Sequence, residues 1–476
     1  MNSSLLHRPR RAGLAPLCLL VIALGGCAVA AAPRAELPAP PAWQAGLPAL
    51  LPHQGSPEQL RQWWARFDDP LLAELITQAQ GANPGLQQAL ARIGQARAAA
   101  GLSASAGSPQ LGLAGSAGRS RSAVPSNEPA RGQASLGLDA SWEIDLFARV
   151  RQQAQAAGER AAASELDWHQ ARVSLAAEVA RQYLSLRSCE QLLAIGEREA
   201  ESLGQLALLA RDKARVGFEA PAAADLLEGA AAEAHSRRLA QRADCDLAVK
   251  GLVALTALDE AALRQRLSTA TARLPAPALF ALPRLPAELL AQRPDLAASE
   301  RLVLAAWAER GAAEAERFPQ LRLSGSLNIG ALRVAGLRDD GSGWSLGPSL
   351  SLPLLDGGAR RAQVDAAQGR YEEALAAHRG ALLQAVREVE EALVRLDSAQ
   401  ARESHVAASV SAYERSLAGT QERWRQGLAS AAELEDARRL ALNAQASLVQ
   451  VQEQRVAAWV ALYKASGGGW QQGSSS

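Results

Sequence analysis

Aromatic residues are scarce in this chain, at 4% of all positions, with five Phe and four Tyr among them. So thin a supply excludes two or three ordinary globular domains, each of which would need large side chains for a compact core. An excess of one charge is also missing: 50 Lys and Arg stand against 49 Asp and Glu. Nucleic acid, which recruits a basic surface, is therefore not an expected partner. Beyond the N-terminus no apolar run reaches the roughly 18 residues of a membrane-spanning helix. If the chain crosses a membrane, it does so as strands.

Chemistry is missing as well. The six His are scattered, with neither HExxH spacing nor a GxxxxGK[ST] phosphate loop, so no enzyme and no cofactor is expected, and nothing in the chain supplies energy. Glu388 and Glu391 in "REVEEAL" share a helical face but read as a solvated or interhelical surface. The single Met gives no support to a methionine-lined metal path. Proline is absent from 130–220 and from everything after Pro353. What fills these stretches is Ala, Leu, Gln, Arg and Glu, the composition of long, thin helices packed through small side chains.

The N-terminus reads as a targeting segment, residues 1–26, with "HRPRR" ahead of "GLAPLCLLVIALGG". "LGGC" ends at Cys27 and resembles a bacterial lipobox, in which Cys27 becomes the lipidated first residue; an ordinary signal peptide with an incidental Cys is the alternative. Ala28, rather than Asp, resembles lipoproteins sent on to the outer membrane. Residues 27–60 are Pro-rich and read as a lipid-anchored linker.

"PQLGLAGS" at Pro109 returns as "PQLRLSGS" at Pro319, 210 positions later. The register holds elsewhere: Pro84-Gly85-Leu86 with Pro294-Asp295-Leu296, Gly101 with Gly311, "SLG" at 135–137 with 345–347, and Gly217 with Gly427. This marks a duplication, with a first repeat at 61–274, a Pro-rich connector at 275–292, a second repeat at 293–466 and a tail at 467–476. Each repeat opens with a Pro-initiated helix of about 20 residues. Two strand-like stretches and a long Pro-free run follow.

The strands alternate with period two. In 134–147, Leu136, Leu138, Ala140, Trp142, Ile144 and Leu146 share one face, and Ser135, Gly137, Asp139, Ser141, Glu143 and Asp145 the other. "WSLGPSLSL" and "LRLSGSLNIGA" behave alike; the stretch after Pro109 is weaker, being mostly Gly and Ala. A half-buried soluble sheet gives the same pattern. Strand length near the 9–11 residues a bilayer needs, the hairpin arrangement and the lipobox favour an outer-membrane sheet. Four strands cannot close a barrel, and an open edge in hydrocarbon leaves backbone groups unpaired, so several copies must share one barrel.

The runs from about Arg149 to Arg215 and from Ala359 to Arg425 predict helices on the order of 100 Å. Each stops at a Gly, in "RVGFEAPAAADLL" and "RQGLASAAELEDA", and turns back as an antiparallel hairpin with its tip at Gly217 or Gly427. Cys189 and Cys245 each lie 28 residues from Gly217, hence level with each other; spacing leaves open whether they form a disulfide or stay as buried thiols.

"SWEIDLFARVR", "RPDLAASERLVLAAWAERGAAEAERFPQLRLSGS", "LPLLDGGARRAQVDAA", "REVEEAL" and "LYKASGGGW" resemble the outer membrane factor family, most of all its OprM/NodT-type lipoprotein branch and more distantly its TolC-like members. The likeness runs from about Trp63 to Trp470. It implies a homotrimer, with four strands per chain giving a twelve-stranded outer-membrane β-barrel that continues into a long antiparallel α-helical periplasmic barrel. It also implies a periplasmic adaptor and an inner-membrane transporter of the RND type as partners, with small molecules passing out through the duct. A type I protein-secretion duct keeps the same fold, and a non-channel periplasmic tether is the alternative of another class, disfavoured by lipid-facing Trp142 and Trp344.

By position, the adaptor-docking tips are Val216, Gly217 and Phe218, and Gly427, Leu428, Ala429 and Ser430; the glycines also serve the turn itself. Relatives narrow near the second tip with acidic side chains. Here Glu422 is the only acid close by, Ala418 and Gly419 stand where some relatives carry one, and Trp424 replaces a commoner Tyr. Glu422 is either a gate residue or part of a solvated face. Asp139, Glu143 and Asp145 form either an acidic ring in the lumen or a solvated rim.

Overall fold

The computed structural model describes residues 43–44, 63–67, 69–121, 129–269, 273–275 and 290–470. The signal segment, Cys27, nearly all of the linker, most of the connector and the residues after Trp470 lie outside the described residues. In the first repeat, α1 (Pro70–Ala82) and α2 (Pro84–Ser105) precede β1 (Gln110–Ser120) and β2 (Arg131–Ile144). Then come α3 (Arg149–Arg215), α4 (Pro221–Thr256) and a short α5 (Glu260–Thr269). The second repeat has α6 (Pro294–Ala315), β3 (Gln320–Val334), β4 (Leu337–Ser351), α7 (Ala359–Arg425) and α8 (Ala431–Ala465).

Local chemistry sets these boundaries. The Asp69 carboxylate accepts from the amides of Leu71 and Leu72 at 3.0 and 3.3 Å and starts α1, with Pro70 in its first turn. The two long helices use one device. Asp145 accepts from the Val150 and Arg151 amides at 3.1 and 2.9 Å, and Asp356 from those of Gly358 and Arg360 at 3.0 and 3.2 Å. In both cases a carboxylate meets unpaired donors at a positive helix end. α3 and α7 are 67 residues each, free of the Pro that would break them.

All four strands join one antiparallel sheet in the order β1-β2-β3-β4. The two hairpins meet at β2 and β3, where Leu136 opposes Ile329, Leu138 opposes Leu327 and Trp142 opposes Leu323. The weak, Gly- and Ala-rich first strand is a full strand of 11 residues, its register fixed along β2 by pairs such as Leu113 with Leu138. Duplication reaches the side chains: Ser116 Oγ and Ser135 Oγ lie 2.9 Å apart, as do Ser326 Oγ and Ser345 Oγ in the other repeat.

Compact packing does not follow the repeats. Segments 95–162 and 300–376 form one unit holding the sheet; 163–299, 377–470 and the residues leading up to Gly94 form another. In the second unit the main core gathers the first aromatic segment and the ends of several helices. Trp63 is fully buried and stacks on Tyr463 at 5.1 Å, with Leu72, Leu75, Val179, Leu252 and Leu393 around them. Gly467, Gly468, Gly469 and Trp470 are buried, and a Cβ on Gly468 would come within 2.6 Å of Val173.

Arg293 holds the start of α6 in that unit. Only 3% exposed, it donates to Asp295 at 2.7 Å, to Glu388 on α7 at 2.8 Å and to the carbonyl of Ala465 at the end of α8 at 3.1 Å. Glu388 is thus an interhelical ligand of a buried guanidinium. Glu391, three residues on, binds Arg387 and Arg395 on its own helix.

Candidate functional site

The sheet carries a continuous apolar face, because register places the apolar sets of all four strands side by side. Much of that face is uncovered: Leu111 is 69% exposed, Leu113 70%, Trp344 80%, Leu346 71% and Leu350 68%. A water-facing sheet would turn such residues inward. Among the described residues the outer edges of β1 and β4 have no partner strand. An unpaired edge and an apolar face are tolerable together only where lipid covers the face and further strands cover the edges. That exposed apolar face makes the sheet the candidate spanning element; among the described residues no helix is long and apolar enough to cross a membrane.

On the polar face the three predicted acids part company. Asp139 is exposed. Glu143 is engaged by Arg149, which donates through Nε at 2.9 Å and Nη2 at 2.7 Å, with Arg322 at 3.8 Å on its other side. Asp145 is the cap of α3. Two of the three therefore serve the strand-to-helix junction, and their charge is matched locally.

The two tips are built alike. Gly217 has φ +82° and Gly427 φ +74°, so each occupies the left-handed conformation that other residues resist. The amide of Phe218 donates to the Lys213 carbonyl at 2.9 Å and that of Gly217 to Ala214 at 3.1 Å. Leu428 to Arg423 at 2.8 Å and Gly427 to Trp424 at 2.9 Å repeat the pair. These crossed bonds usually come with an apolar contact from the residue after the glycine back onto the helix. Here that residue points away: Phe218 is 84% exposed and Leu428 66%, beside an exposed Val216. Ser430 caps α8 in a reciprocal box with Glu433, and Ala429 lies half-buried before it. Glu422 is exposed and accepts from Gln426 at 2.8 Å, with Arg425 at 3.4 Å.

Higher on the first hairpin, Cys189 and Cys245 are brought together, Cα atoms 5.5 Å and sulfurs 2.04 Å apart. The second hairpin has Ala399 and Arg455 at the corresponding positions, and Arg455 pairs with Glu403 at 2.9 Å. Sequence reading missed the ties between hairpins. Arg438 on α8 hydrogen-bonds Ser202 on α3, and Arg198 on α3 donates to Gln445 on α8 at 3.1 Å. No local signal marks partners more than 200 residues apart.

A sheet with a lipid-type face and two open edges, continuous in chain with paired helical hairpins, defines one share of an outer-membrane duct. Comparison with known proteins agrees. The family model for outer membrane efflux proteins matches residues 75–274 and 285–468, and the chain belongs to that family. Outer membrane protein OprJ of Pseudomonas aeruginosa is 32% identical, over 96% of this chain and 96% of that protein. Pyoverdine export outer membrane protein OpmQ, also of Pseudomonas aeruginosa, is 30% identical over 95% of this chain and 96% of its own. The solved outer-membrane channel OprN superposes with a TM-score of 0.79 at 29% identity, covering 93% of this chain and 100% of that one. The chain is thus an efflux component of the outer membrane, reaching into the periplasm.

Proposed function

We propose that this chain is the exit duct of a tripartite pump, conducting small toxic molecules passively from a periplasmic adaptor and an RND-type inner-membrane transporter to the exterior. Three copies share one barrel of twelve strands, each β1 edge closing on the β4 edge of a neighbour. A lipid on Cys27 anchors each copy. The open-edged sheet with its exposed apolar face carries the reading, since a tether without a pore has no use for Leu113, Trp344 or Leu346 facing lipid.

The tips dock the adaptor in this account. Phe218 and Leu428 are the anchors, released from their own helix ends, and Val216, Gly217, Gly427, Ala429 and Ser430 shape the turns around them. A photo-crosslinking residue placed at Phe218, and separately at Leu428, in living cells is expected to capture a periplasmic adaptor. Capture of only neighbouring copies, in cells shown to express the candidate adaptors, would remove the docking role from the tips. Asp139 is the one predicted lumen acid left to act on passing ions, and Glu422, tied to its own helix, contributes charge near the second tip.

A further inference from the structure

Close to the tips, α4 and the start of α8 enclose a cavity of about 470 Å³ that no side chain fills. Its floor is apolar, made by Leu203, Leu227, Ala230 and Ala431, and the exposed Leu226 also lines it. The floor belongs to two small clusters, one around Leu203 and Ala234, the other around Leu227 and Ala224, each closed by alanines. Small residues at Ala223, Ala230, Ala431 and Ala432 leave the space open.

The rim is acidic. Glu199, Glu219, Glu233, Glu435 and Asp436 line it, against two arginines, Arg237 and Arg439. Both arginines are already committed. Arg237 donates to Glu199 and to Glu233, each at 2.7 Å, and Arg439 to Asp436 at 2.9 Å. No lining guanidinium is left for Glu219 or Glu435. Glu435 is the more telling of the two: its side chain is 14% exposed and its Oε2 is buried with no hydrogen-bond partner. Arg438 Nη1 makes a long ion pair with that oxygen at 3.8 Å and gives its hydrogen bond to Ser202.

We infer that this cavity is a binding site for a small amphipathic organic cation, its hydrocarbon body on the leucine and alanine floor and its positive centre against Glu435 and Glu219. Pockets of this size with an apolar lining and a few convergent polar groups are typical of small-molecule sites. A buried carboxylate oxygen with no hydrogen bond and one long ion pair carries a cost that a closely placed cation lowers. Burial, followed by the charge of Glu199 across the interface, pushes the Glu435 carboxyl up, and Arg438 and Arg439 only partly oppose them. Because the walls come from both hairpins, an occupant would also hold α8 against α3 and α4, favouring this arrangement of the tips.

The test uses the full chain in lipid nanodiscs, with tetraphenylphosphonium as probe, tetraphenylborate as its anionic shape-match and empty nanodiscs as blank. Calorimetry is expected to find one saturable site per chain for the cation and none for the anion. Glu435→Gln should weaken binding about tenfold, equivalent to roughly 1.4 kcal/mol. Ala432→Trp, at an exposed lining position that can fill the space without entering the core, should abolish it. Equal binding of the anion, no saturable binding above the blank, or unchanged affinity in both variants would overturn the inference.

Discussion

Replacing Cys189 and Cys245 together by Ala probes the one covalent tie in the hairpins. The bond closes a loop of sequence separation 56. Chain entropy for a ring of that size amounts to about 4 kcal/mol, with about 2 kcal/mol as a floor where the unfolded chain keeps residual structure. Both cysteines are more than nine-tenths buried, so the alanines leave only a small cavity beside the lost bond. The second hairpin sets the scale for comparison. At the same level it has the Arg455–Glu403 pair, with side chains 33% and 21% exposed, worth at most about 1 kcal/mol. The double variant is therefore expected to lower unfolding free energy by about 2–4 kcal/mol, and Glu403→Gln by less than about 1 kcal/mol. Denaturant unfolding of the purified protein reads both, and hydrogen exchange should rise in α3 and α4 on either side of the strap. Free thiols at both positions in non-reducing peptide mapping would refute the reasoning. So would an unchanged unfolding midpoint and slope in the double variant.

Arg293→Met should destabilise the second unit by about 2–4 kcal/mol, since it strands Asp295 and Glu388 without their cation; each is about 30% solvent-exposed, which recovers part of the full cost. Thermal melts check this, and Arg293→Lys should recover only part, lacking the fork that reaches Asp295 and Glu388 at once. Glu435 supplies a pH dependence. Burial holds its carboxyl above the ordinary 4.5, so the folded chain binds that proton more tightly than the unfolded one. The stability this lends is complete below the ordinary value and is lost as pH rises through the raised one. Against a Glu435→Gln reference, wild-type stability should fall as pH rises above the ordinary 4.5, and parallel curves for the two would contradict the assignment.

Much of this architecture is legible in the sequence because it rests on periodic or punctuating residues. Pro84 and Pro294 open the paired helices, Gly217 and Gly427 end the long ones, and the alternation around Trp142 and Trp344 sets the faces of the sheet. β1 was weakly marked because Gly112, Gly115 and Gly118 give a strand little side-chain pattern, and its identity comes from pairing with β2. Glu143 and Asp145 have the alternation of lumen residues, but they sit where a strand passes into a helix. There an unsatisfied helix end and Arg149 compete for carboxylates, a demand that period-two reading does not include. The Arg293 cluster, the Arg438–Ser202 tie and the cavity beside Glu435 depend on side chains brought together from distant segments. Only the folded chain reveals them.

In the proposed duct, one chain is an incomplete share of a closed barrel. Native mass spectrometry of the protein extracted from outer membranes tests it most directly. A complex of three chain masses that falls to single chains on heating is expected. A single-chain species in the unheated extract, with the β1 and β4 edges left open, would contradict it.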